Sequence, residues 1–358
     1  MTSGPHAATQ PPLVDLFCNT CRRVMTRAAG AATCPSCGLE YPVRDGIVSC
    51  TGSDEFYEHQ CTHSTAGPLP DRMPWFLRLP AWIDFYCNEL QRRQRFFWKA
   101  GCLLGWRQGT VLDFGCGGGM QIWLRFGHVV GLSNSMTGLR QARTLYPECV
   151  CADGVKGLPF PDNTFDYIVA ADVLGHFVND DKDFIMREMY RCLKPGGALI
   201  AMIETWGKYG ELYRQNCPEF FEQWKNLTIN RVGHIGLETS QATLDRVERH
   251  GFHCQYRSTV GPWPGYVRGF FTPGFERIPL PTRLHRAARA VGRIVRHSWI
   301  LERITDNVFG VIGSAYLTFG GLDYADGVLV LGRKASAGQG TRRPEHMPEG
   351  LAGAGGAA

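Results

Sequence analysis

Short apolar runs recur through the middle of the chain, each closed by a glycine, an acid or a hydroxyl, and amphipathic stretches separate them. Val111-Leu112-Asp113-Phe114, His128–Leu132, Cys149–Asp153, Phe165–Asp172 and Ala198–Ile203 read as buried strands. Helices are predicted from Met120 to Arg125, Met136 to Leu145 and Asp183 to Leu193, with turns at 158–163 and at Lys194-Pro195-Gly196-Gly197. Strands alternating with helices at this rhythm imply an α/β fold built on a doubly wound, mostly parallel sheet. Ahead of it, Trp82 to Leu104 carries aromatic and aliphatic residues with Arg92, Arg93 and Arg95 between them. One or two helices are expected there, their aromatics in the core.

Ligands of such sheets sit beyond the carboxyl ends of the strands. Those ends here carry Gly115, Ser133, Asp153, Asp172 and Glu204. The first has glycines at 115, 117 and 119, a tight turn whose backbone a ligand can approach closely. A dinucleotide fingerprint wants a third glycine three positions after the second, and position 120 is Met, so the cluster alone is a weak nucleoside signal.

Composition narrows the setting. Apolar residues make up 44% of 358, enough for a real core, and the net charge of +5 neither demands nor excludes nucleic acid. No apolar run approaches a membrane span and the first twelve residues lack the apolar core of a secretion signal, so a cytoplasmic location is expected. The fourteen cysteines then read as reduced thiols, with any cluster a metal site. Cys18-Asn-Thr-Cys21 and Cys34-Pro-Ser-Cys37 form two knuckles that together offer four soft ligands for a tetrahedral zinc. Unliganded thiols or a redox pair are the alternatives, although a redox motif normally has a single pair beside a βαβ unit. A closed four-sulfur site would fold the ribbon and leave no open position for catalysis. Residues 13–50 are therefore expected to form a zinc ribbon, with Tyr41–Ile47 a strand ending in a turn. Residues 1–12 and 335–358 read as disordered ends. Residues 51–81 read as a solvated linker in which Phe56 and Tyr57 are aromatic anchors, and His59, Cys61 and His63 lack firm ligand spacing.

Four motifs in order then carry a resemblance: Val-Leu-Asp-Phe-Gly-Cys-Gly-Gly-Gly from 111, Ala-Asp-Gly-Val-Lys-Gly-Leu-Pro-Phe-Pro-Asp-Asn-Thr-Phe-Asp from 152, Asp-Val-Leu-Gly-His-Phe from 172 and Leu-Lys-Pro-Gly-Gly from 193. They resemble a class I S-adenosylmethionine-dependent methyltransferase, methyltransferase type 11, of the type that includes quinone-biosynthesis enzymes. The N-terminal knuckles are similar to the zinc ribbon found with some RNA and protein methyltransferases. The resemblance implies a seven-stranded Rossmann-like sheet over 82–334, with strands near 252–257 and 327–332 as its closing hairpin and Thr239–Phe252 as its late helix. It implies that Gly115, Gly117 and Gly119 approach the amino-acid end and ribose of the donor, with Asp113 orienting the turn or the ammonium. Asp153 would accept from the adenine amino group while the backbone of Gly154 and Val155 meets the ring edge, and Asp172 would lie beside the methionine moiety. Asp113 and Asp172 have a simpler alternative as turn caps. Where most relatives end the second strand in a ribose-binding acid, this chain has Ser133 and Asn134, which are weaker partners than a carboxylate.

Methyl transfer from a sulfonium needs alignment and, for a hydroxyl acceptor, removal of a proton. His176, with an unperturbed pKa near neutrality, is the candidate base, and Glu204 is the alternative. His176 could equally brace the pocket. Residues 205–238 and 259–322 are expected to form a helical cap and an insertion over the acceptor. Within the insertion, 283–304 reads as a basic amphipathic helix, which could be a packed lid, a peripheral contact with the inner face of the membrane, or an RNA-phosphate surface. The leading expectation is methylation of a small-molecule or lipid-like acceptor. An rRNA or tRNA base methyltransferase and a catalytically inactive scaffold stand as alternatives, and no DNA partner is expected.

Overall fold

The structure, a computed structural model, describes residues 14–52, 55–60, 75–87, 92–207, 225–231, 233–260, 325 and 327–336, with isolated positions at 215–222 and 283–311. Residues 1–12, His63 and Cys61, most of the tail and the greater part of the expected cap and insertion lie outside this set.

The predicted alternation is present. Strands β1 (Thr26–Arg27), β2 (Ala31–Thr33), β3 (Glu40–Arg44) and β4 (Ile47–Ser49) come from the cysteine-rich segment. Helices α1 (Glu55–Gln60), α2 (Trp75–Cys87) and α3 (Arg92–Leu103) follow. Then come β5 (Gly109–Phe114), β6 (Gly127–Ser133), α4 (Met136–Ala142), β7 (Glu148–Cys151), β8 (Phe165–Ala171), α5 (Asn179–Cys192) and β9 (Leu193–Glu204). Helix α6 (Ser240–Arg249), β10 (Phe252–Val260) and β11 (Gly327–Lys334) complete the core.

Among the described residues the strands form one sheet in the order β1-β2-β3-β4-β7-β6-β5-β8-β9-β11-β10. Seven of these eleven are the expected strands, and the last two pair as the expected antiparallel hairpin. The other four come from the segment expected to form the ribbon and join the same sheet. Strand β4 pairs in parallel with β7, Val48 opposite Val150, so the cysteine-rich segment extends the main sheet. Its apolar side chains Val14, Leu16 and Met25 join the core that contains Leu158 and Phe160.

Burial explains why the central strands read as continuous apolar runs. Val111, Val129, Tyr167 and Val169 face one side with Phe97 and Trp123, whose rings lie 4.6 Å apart. Leu112, Val130, Ile168 and Ala170 face the other with Ile185 and Met189 of α5 and Leu244 of α6. Adjacent residues alternate in face, as the two-residue strand period requires, and helices cover both sides.

Two local expectations are revised. The 120–125 segment is a 3-10 helix, Gln121–Arg125. The Lys194–Gly197 turn is absorbed into β9 as a bulge: pairing jumps from Phe165–Leu193 to Tyr167–Ala198, and Gly196 takes the positive φ (77°).

Candidate functional site

Strand order reverses between β5 and β8, and their carboxyl ends meet there, where this class of sheet places its ligand. At the end of β5, Gly115 has φ 70° and a Cβ there would fall 2.4 Å from Val173, so only glycine fits. Gly117 has φ 50° and nothing within 4 Å of its Cβ direction, so its backbone faces open space. This turn is a cradle that a ligand can approach closely.

Asp113 lies beneath it, 2% exposed. The Tyr146 hydroxyl donates to Asp113 Oδ2 at 2.6 Å and accepts from Met120 N–H at 2.5 Å. Asp113 thus fixes the far end of the turn through Tyr146. Burial pushes its carboxyl up to about 7, opposed by the Tyr146 hydrogen bond.

At the end of β6 the Ser133 hydroxyl accepts from Ser135 N–H at 3.1 Å, and Ser135 caps α4 by accepting from Gly138 N–H. Asn134 is half-buried between them. A carboxylate reaches this corner from elsewhere: Glu58 of α1 accepts from Met136 N–H at 2.6 Å and Thr137 N–H at 3.0 Å. The expected linker therefore contributes to the site, with Tyr57 edge-on to His176 at 5.6 Å between ring centroids. After β7, Asp153 accepts from Val155 N–H at 3.2 Å and caps the short 3-10 turn Gly154–Lys156. A side chain at Gly154 would collide with the Phe114 ring at 2.7 Å.

Asp172, His176 and Glu204 are brought together with a residue that sequence reasoning did not single out, His234. Asp172 ends β8 at φ 66°, an uncommon conformation for a non-glycine residue, and pairs with Arg93 NH1 at 3.1 Å. Glu204, 5% exposed, accepts from Gly175 N–H through Oε2 at 2.9 Å. Its Oε1 lies 3.9 Å from His234 Nε2. Burial, reinforced by Asp172, raises the Glu204 carboxyl well above the ordinary range. The Asp172 side chain is 44% exposed, and its partial desolvation is outweighed by the neighbouring Glu204 and the Arg93 charge, which hold its carboxyl below the ordinary range, so Glu204 keeps the proton of the pair. The rings of His176 and His234 stand 4.7 Å apart. Burial, followed by the neighbouring His234, pushes His176 down to about 4. His176 is therefore a neutral imidazole at physiological pH and a weaker base than its unperturbed value implies.

His234 sits on a fastened strap. Gly236 N–H donates to Gly175 O at 3.0 Å, Trp206 N–H donates to Glu238 O at 2.6 Å, and Lys182, almost wholly buried, donates to Gly236 O. Arg246 forks onto both oxygens of Glu238 at 2.9 Å each. The strap falls where the sequence pattern shows only a mixed cap, and nothing in residue spacing links position 234 to 172 or 204.

The four knuckle cysteines converge. Sulfur separations are 3.3 Å for Cys21–Cys34, 3.6 Å for Cys18–Cys37 and 3.8 Å for Cys21–Cys37. A tetrahedral ion with sulfur at about 2.3 Å holds its ligands roughly 3.8 Å apart, so the cluster has the size of a zinc site. Among the described residues no disulfide competes for these thiols.

Residues 112–201, which span β5 to β9, match the methyltransferase domain family. A demethylmenaquinone methyltransferase of Listeria welshimeri is 39% identical over 87 residues, 22% of this chain and 35% of that protein. A 2-methyl-6-phytyl-1,4-hydroquinone methyltransferase of Synechocystis is 35% identical over 163 residues, 43% of this chain and 49% of that one. The chain thus spans half or less of the length of these curated relatives. Among solved structures, a cyclopropane synthase of Mycobacterium tuberculosis aligns over 79% of this chain and 99% of its own, with 18% identity and a TM-score of 0.44. No helix among the described residues is long and apolar enough to cross a membrane.

Proposed function

We propose that the chain is an S-adenosylmethionine-dependent methyltransferase whose acceptor is a small or lipid-like molecule. The observation that carries this is the open glycine cradle at the end of β5, inside the segment that matches the methyltransferase domain family. When bound, the donor supplies an electrophilic methyl group on a sulfonium. The backbone of Gly115, Gly117 and Gly119 would hold its amino-acid end and ribose, and Asp172 would lie beside its methionine moiety. Ser133, Asn134, Asp153, Gly154 and Val155 would frame the nucleoside. Glu58 brings to the first turn of α4 the carboxylate that β6 itself lacks.

The acceptor's lone pair forms the new bond to carbon, the carbon–sulfur electrons remain on sulfur, and the acceptor's proton passes to a base or to solvent. Neutral His176 can receive a hydrogen bond from that acceptor and orient it, and Glu204 bounds the same space. The quinone and hydroquinone names of the relatives favour a lipid-like ring acceptor. The cysteine cluster would hold a structural zinc, since four thiolates close its coordination.

Incubation with methyl-labelled donor and either small-molecule extracts or total RNA tests the acceptor class. Label is expected in the organic extract, and label in RNA would overturn that assignment. Calorimetry with S-adenosylhomocysteine tests the donor site. Absence of binding at millimolar ligand would remove the enzyme reading and leave an inactive scaffold.

A further inference from the structure

We propose that Asp172, Glu204 and His234 form a divalent-cation site at the acceptor mouth, with His176 bordering it. One ligand atom from each of the three residues can be chosen so that all lie within 4.8 Å of one another. An ion with nitrogen and oxygen ligands at about 2.1 Å places adjacent ligands roughly 3.0–3.4 Å apart and opposite ones about 4.2 Å apart. The Glu204 Oε1 to His234 Nε2 separation of 3.9 Å lies between these values, so a side-chain shift of about half an ångström would close the pair round an ion as adjacent ligands.

Glu204 is the independent pointer to a ligand. Its side chain is more than nine-tenths buried, Oε2 is anchored by Gly175 N–H, and Oε1 faces His234 with no hydrogen-bond partner. An oxygen left unsatisfied inside a protein is costly, and a cation that displaces the Glu204 proton to solvent removes that cost. Each ligand is also held from behind, as metal ligands generally are. Gly175 fixes Glu204, Arg93 takes one oxygen of Asp172, and the strap tied by Gly236, Lys182 and Glu238 fixes the backbone around His234. Mixed imidazole and carboxylate ligands suit Mn(II) or Zn(II), whereas the four-thiolate cluster suits only the softer ion.

The role of the cation rests on the methyl-transfer reading; the site itself does not. Beside the donor's methyl, the ion would take an oxygen of a phenol or enol acceptor, releasing that oxygen's proton to solvent and leaving an oxyanion aligned for attack. Asp172 and Glu204 would then serve the acceptor through the ion.

The test is titration of full-length protein with Mn(II) after passage over a chelating resin, following the free-ion electron paramagnetic resonance signal, with S-adenosylhomocysteine calorimetry in parallel. About one equivalent of Mn(II) is expected to bind, and His234→Ala and Glu204→Gln should each weaken it at least tenfold. If the wild-type protein leaves the free signal unchanged at millimolar Mn(II), the site does not exist. Equal Mn(II) affinity in variants that melt like the wild type would overturn it as well. S-adenosylhomocysteine binding without Mn(II) binding sinks the cation site and keeps the methyl-donor reading, and the converse result separates them the other way.

Discussion

Asp113 is a group whose titration should be visible in stability. Its carboxyl is 2% exposed, and burial pushes it up to about 7 against the downward pull of the Tyr146 hydroxyl. In the unfolded chain the same group titrates near 3.9. Between these values the folded protein binds more protons than the unfolded one, so stability falls as pH rises through the window from about 4 to about 7. From pH 5 to pH 7.5 the loss from this one group is about 2–3 kcal/mol, at roughly 1.4 kcal/mol per pKa unit. Asp113→Asn keeps an oxygen to accept from Tyr146 and removes the titration. Urea denaturation of both proteins at the two pH values isolates the effect, because every other group contributes alike to both. The variant should gain about 2–3 kcal/mol relative to wild type on moving from pH 5 to pH 7.5. A double difference under about 0.5 kcal/mol would mean that the Tyr146 hydrogen bond outweighs burial and that Asp113 is ionised throughout.

Gly236→Ala would place a Cβ 1.5 Å from the Phe177 carbonyl oxygen. The strap must then shift, costing about 3 kcal/mol, read as a fall in the thermal midpoint, and any donor-dependent activity should drop with it. Cys34→Ser should lower zinc from about one equivalent to a small fraction in protein purified without chelators, as measured by metal analysis, because a buried ligand is lost from a closed site.

The five strands β5 to β9 could be placed from the sequence because each is largely buried on both faces and therefore reads as an apolar run, whereas β10, exposed or half-buried from His253 to Ser258, and β11 were expected only through the family resemblance. Gly115, Ser133, Asp153, Asp172 and Glu204 were legible for the same reason: each ends such a run. Partnerships between distant segments were not. Strand β4 is three residues long, and nothing in Ile47-Val48-Ser49 indicates Val150 as a neighbour. Glu58 and His234 lie in stretches without strong periodicity, so their arrival at the site is decided by packing. The unperturbed pKa of His176 is near neutrality, and burial and the adjacent His234, which lower it, are tertiary facts that the sequence does not carry.

The parallel partnership of β4 with β7 also sets an order of events during synthesis. The two knuckles close over a short loop, Cys18 to Cys37, so the nascent segment can gather its thiolates as soon as it leaves the ribosome. Strand β4 has only β3 beside it until β7 has been made, with α1, α2, α3, β5, β6 and α4 all emerging in between. Throughout that interval its outer edge presents unpaired N–H and C=O groups, the feature that recruits stray strands. The finished cysteine-rich segment is thus an early template that must wait for β7, and translation speed across the intervening elements governs how long that edge stays open.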